Sequence, residues 1–143
     1  MTEEQIQQFF QRIDNLQPTT KALFGRMNAN QMVCHCTDQI RMALGAKKAK
    51  VSEKVNPEEI LLLAKAGKAI PTPEGFGQLE GDGTNPTDFD HDVWLLKEHI
   101  TAFSELKDNF EYAPHPYLGQ LDKKNWNNMV TYHLNHHLKQ FGV

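Results

Sequence analysis

At 143 residues, with 39% hydrophobic and 23% charged side chains, the chain is long enough for one domain that buries a core without disulfide or metal support. A net charge of −3 with scattered basic residues argues against a nucleic-acid partner, and no apolar run is long enough to span a bilayer. The start Met1-Thr2-Glu3-Glu4-Gln5 lacks the basic and apolar segments of a secretory leader, and Cys34 and Cys36 diverge by about 200° on a helix, which precludes a disulfide; a reducing, cytoplasmic location is the expectation.

Thr2 with Gln5 three residues on reads as a capping box, and Ile6, Phe9, Phe10, Ile13 and Leu16 follow at helical spacing until Pro18. Asn28 with Gln31 repeats the signal for a second helix, whose stripe of Met32, Cys36, Ile40, Ala43 and Leu44 runs to Gly45. The basic run Lys47-Lys48-Ala49-Lys50 then sits where cations complement a helix C-terminus.

Residues 46–87 carry no long periodic pattern. Pro57-Glu58-Glu59 opens a short helix through Leu63, after which Pro71, Pro73 and several glycines break the chain, so the segment reads as a long crossover within one domain spanning 1–143. Gly75-Phe76-Gly77 and Gly81-Asp82-Gly83 neither follow a strand nor open a helix, as a nucleotide-binding loop must, and read as a flexible crossover able to serve as a lid.

Asp88 or Asp90 caps a third principal helix through Val93, Leu96, Ile100, Phe103 and Leu106, with an end expected near Asn109. The alternating carboxylates of Asp88-Phe89-Asp90-His91-Asp92 resemble a calcium loop, but Val93 stands at the glycine position and His99 at that of the closing Glu, so capping is the better reading. Pro114-His115-Pro116-Tyr117-Leu118-Gly119 is a connector in which His115 packs a turn, and Asp122 caps the last helix through Gln140. Four principal helices without a convincing strand indicate an all-α, four-helix bundle.

The last helix carries the strongest chemical signal. His133 and His137 lie one turn apart on a face shared with Trp126, Met129, Val130, Leu134, Leu138 and Phe141, an arc from roughly −40° to +140° around His133; His136, near −60°, falls at the rim. Two neutral imidazoles so spaced suit a divalent metal. His35, one residue off the core stripe of the second helix, is the third candidate ligand. In a simple up-down-up-down bundle it would lie about 15 Å or more from the pair, at roughly 1.5 Å rise per residue. An up-down-down-up order brings the three together and demands a long connection between helices two and three, where the 46–87 crossover lies.

The segments Gly25-Arg26-Met27-Asn28-Ala29-Asn30-Gln31-Met32-Val33-Cys34-His35, His115-Pro116-Tyr117-Leu118-Gly119, and Trp126 followed by His133-Leu134-Asn135-His136-His137-Leu138-Lys139-Gln140-Phe141-Gly142 resemble the DinB-like superfamily of up-down-down-up four-helix bundles. The chain is most similar to a branch of it with no assigned reaction and with this C-terminal motif. The resemblance implies a divalent ion, zinc or nickel first, on His35, His133 and His137, a thiol-dependent S-transferase or metal-dependent hydrolase activity on a small molecule, and a homodimer.

Three imidazoles leave a coordination position open for water or substrate, the arrangement of a catalytic rather than a structural metal. That topology also sets Asp88, His91 and Asp92 near the start of helix two as candidates for an acid, a base or an extra ligand. Cys34 and Cys36 do not share the direction of His35 and read as small buried hydrophobes. A non-catalytic bundle that binds a ligand or a protein is the alternative.

Overall fold

The computed structural model describes residues 1–50, 55–66, 68 and 70–143. Five helices follow in order: α1 (Glu3–Asp14), α2 (Ala29–Ala43), α3 (Pro57–Lys65), α4 (Phe89–Ser104) and α5 (Lys123–Gln140). The described residues hold no strand; a single bridge pairs His115 with Gly119. No helix among them is long and apolar enough to cross a membrane.

The helix starts are built as the capping residues dictate. Thr2 accepts from Gln5 N at 3.2 Å while Gln5 Oε1 accepts from Thr2 N at 2.9 Å, and Asn28 and Gln31 form the same reciprocal pair. Asp88 opens α4 by accepting from His91 N, and Asp122 opens α5 by accepting from Asn125 N. Each such cap is worth about 1 kcal/mol.

One boundary departs from expectation: α4 ends at Ser104, short of Asn109. The hydroxyl of Thr101 donates to Lys97 O and that of Ser104 to Thr101 O, so side chains compete for the last carbonyls of the helix. Leu106 still packs against the core from outside the helix, which is why the apolar spacing ran past its end.

Helix α2 packs against α4 and α5, and α1 lies across the same two helices. Between them Phe9, Ile13, Met32, Ile40, Leu96, Ile100, Trp126 and Leu134 are buried. Each such side chain contributes about 1.5–3 kcal/mol relative to exposure, offset by the entropy of ordering it.

The crossover is tied down at two levels. Residues 75–83 close on themselves: the Asp82 carboxylate accepts from Gly75 N and Gly77 N, while Gly77 O accepts from Asp82 N and Gly83 N. The turn then docks on α2 through Asp38, a fully buried carboxylate that accepts from Thr84 N at 2.9 Å, Thr84 Oγ1 at 2.6 Å and Lys47 Nζ at 2.6 Å. Lys47 also sits over the ring of Phe76, which is buried in the core. The crossover thus contains a turn closed by its own hydrogen bonds, and Lys47 pairs with a buried acid as well as following a helix end. Part of the same crossover, residues 51–54, 67 and 69, lies outside the described residues.

Candidate metal centre

His35, near the start of α2, lies against His133 and His137, near the end of α5. The ring centres of His133 and His137 lie 4.4 Å apart, and each is 4.8 Å from that of His35. His133 Nε2 lies 3.0 Å from His35 Nε2, and one ring nitrogen from each of the three falls within 4.8 Å of the others. Around an ion with bonds of about 2.0–2.1 Å, tetrahedral ligand atoms stand roughly 3.3–3.4 Å apart. The closest pair stands near that separation, and the ligand atoms all lie within 4.8 Å of one another.

The outward nitrogens show how the rings are held. His137 Nδ1 meets Gln140 Oε1 at 2.9 Å, and the backbone carbonyl of Phe76 accepts a hydrogen bond from His35. These are the partners that fix the tautomer of a metal-binding imidazole. Among the described residues His133 Nδ1 is buried without a partner.

Burial keeps the cluster neutral. It lowers His137 to about 3, helped by repulsion from His35 and opposed by the Gln140 hydrogen bond. His133 falls well below the usual imidazole value by burial and then by the neighbouring His137 and His35. His35 is lowered by burial against the opposing pull of the Phe76 carbonyl and Asp38. All three thus present lone pairs at neutral pH, the form a metal takes.

The cluster forms one wall of a cavity of about 590 Å³, within the roughly 300–1,000 Å³ that accepts a small molecule. Gln39 and Met42 continue the His35 stripe along α2, Met129 and Tyr132 line the α5 side, and Ile60, Phe76 and Leu79 close the cavity from the crossover. The lining is mainly apolar, with the exposed charges of Arg26, Lys68 and Glu80 at its margin.

Residues 1–142 match the family described as "Protein of unknown function (DUF1569)". The chain belongs to the DUF1569 family. No curated protein and no solved structure matches it.

The other candidates of this DUF1569 chain stand apart from the three imidazoles. Asp88 caps α4, the ring of His91 packs on Trp94, and buried Asp92 accepts from Thr87 N and Thr87 Oγ1; none of the three lines the cavity or joins the imidazoles. Asp92 instead faces Cys34, whose thiol is pushed up to about 12 first by burial and then by that carboxylate. Cys36 is buried against Met32, and burial raises its thiol further still. His115 holds its turn, its Nδ1 accepting from Tyr117 N and Leu118 N, and it also lines the cavity. His136 borders the cavity, edge-on to Phe24 and stacked on Tyr132.

Sequence reasoning missed Gln140, Phe76 and the Asp38–Lys47–Thr84 clamp. Gln140 carried a usable signal, since it stands three residues after His137 and so shares its face. Asp38, three residues after His35 on a helix otherwise rich in buried side chains, carried another.

Proposed function

We propose that the chain is a metal-dependent enzyme acting on a small, largely apolar molecule, with a divalent ion on His35, His133 and His137. The observation that carries this reading is the convergence of three neutral imidazoles from two helices on the wall of an apolar cavity. Such an ion, when bound, supplies Lewis acidity that polarises an electrophile or lowers the pKa of a water or thiol. The chain itself supplies three uncharged ligands, which would leave a coordination position for water or substrate, and sets them in the wall of a mainly apolar cavity.

Hydrolysis and small-thiol transfer are the two reaction classes this centre suits, with zinc or nickel as the ion. The helix order belongs to the same reading. His35 meets the end of α5 although it lies near the start of α2, as an up-down-down-up bundle of the DinB-like kind requires, with α3 an addition within the crossover.

Elemental analysis of purified protein dialysed without chelator tests the proposal, beside His133→Ala. About one divalent ion per chain, lost in the variant, is expected. A chain that takes up neither zinc nor nickel refutes it. The 3.0 Å contact between His133 and His35 favours a second reading, since it pairs one nitrogen of each of two rings without any ion. In that case the chain is a non-catalytic ligand-binding bundle, and chelator leaves its stability unchanged.

A further inference from the structure

The C-terminal end of α5 contains a polar contact that neither helix formation nor core packing requires. Gln140 is the last residue of α5 and is 4% exposed. Its backbone carbonyl, one of the orphan acceptors of a helix end, accepts from Leu23 N at 2.7 Å. Its side-chain Nε2 donates to Phe24 O at 2.7 Å, and its Oε1 lies 2.9 Å from His137 Nδ1. Residues 23–25 and the imidazole of His137 are thus bound to the same residue.

The two side-chain contacts together fix a direction. A backbone carbonyl only accepts, so the amide nitrogen must face Phe24 and the amide oxygen must face His137. An amide oxygen also only accepts, so the proton in the second bond sits on His137 Nδ1. Nε2 is then left without a proton, as ligation through that atom requires. Gly25 makes the arrangement possible: a Cβ there would collide with Gln140 Nε2, and its φ of +80° disfavours any other residue.

We propose that Gln140 is a positioning residue for the metal centre, holding His137 in the Nδ1–H tautomer so that Nε2 faces His35 and His133. The inference rests on the metal-centre reading for its purpose, whereas the tautomer is a property of the metal-free chain. Residues 23–25 act as the anchor for the amide, so the loop before α2 shares in setting the ring that α5 carries.

The experiment is nitrogen-15 NMR of the histidine-labelled, metal-free full chain at neutral pH, followed by zinc titration against a chromophoric chelator. His137 is expected protonated at Nδ1 in the wild type. Gln140→Met, close in volume but unable to accept that proton, is expected to lose the tautomer preference and about 10- to 100-fold in zinc affinity. Gln140→Glu keeps an acceptor opposite Nδ1 while giving up the donor to Phe24 O, so it is expected to keep the tautomer preference that Gln140→Met loses.

A wild-type His137 protonated at Nε2 overturns the inference without any variant having to fold. Unchanged zinc affinity in a folded Gln140→Met chain overturns it as well, as does a folded Gln140→Met chain that keeps the wild-type tautomer. Absence of zinc binding by the wild type refutes the metal-centre reading instead, with the tautomer still decided by the spectrum.

Discussion

Lys47→Met tests the clamp that fastens the crossover to α2. It removes the 2.6 Å partner of Asp38, a carboxylate with no solvent exposure. What remains around the charge is Thr84, donating through N and Oγ1, and Arg41 at 3.5 Å. Leaving a buried charge without its partner costs about 3–5 kcal/mol. Because the Thr84 bonds persist and Arg41 is within reach, the lower end applies, about 3 kcal/mol. Urea denaturation reads this as a lower midpoint at constant m. Adding Asp38→Asn to Lys47→Met removes the stranded charge while keeping an acceptor for Thr84, so the double variant is expected to be more stable than Lys47→Met alone. A loss below about 1 kcal/mol, the scale of an exposed pair, or a double variant weaker than the single, refutes the reasoning.

Zinc at a hundred times its dissociation constant is expected to raise unfolding stability by about 2.7 kcal/mol, measured by denaturation with and without chelator; His35→Ala and His137→Ala abolish the gain, and a gain that survives in both rejects the site. His115 is lowered to about 4 by burial, so between the ordinary imidazole value and that pH the unfolded chain binds the proton that the folded chain refuses. Stability therefore falls as pH drops through this window, by about 3 kcal/mol from this residue. His115→Asn, with an acceptor where Nδ1 stands, is expected to lose correspondingly less between pH 7 and about 4.5; an identical pH dependence contradicts the assignment. Cys34 and Cys36 are both buried with raised pKa values, so iodoacetamide at mildly alkaline pH is expected to modify neither in the native chain and both after denaturation, as mass spectrometry would show.

The features legible in the sequence are those whose partners lie a few residues away. Thr2 with Gln5, Asn28 with Gln31, and the aspartates at 88 and 122 announce their helices because a cap is a local bargain between one side chain and the next turn. His133 and His137 are equally local, being one turn apart. His35 was reachable because its direction on α2 and the length of the crossover jointly constrain the topology. The remainder depends on contacts that no short window contains. Asp38 meets Thr84 across 46 positions, and Gln140 meets Phe24 across 116. Composition assigns the glycine-rich turn to a flexible loop because it does not reveal that Asp82 closes the turn or that Phe76 fills the core. Asp88, His91 and Asp92 were placed by topology alone, and helix-start chemistry accounts for the two carboxylates without any site.

The cavity has two kinds of wall, drawn from different stretches of chain. α2 and α5 carry the imidazoles and are also core helices, so their spacing is constrained by packing as much as by chemistry. The facing side comes from α3 and the crossover, where Ile60, Leu61, Ile70 and Leu79 carry no coordinating atom. Substitutions in that segment therefore reshape the cavity without touching the three imidazoles.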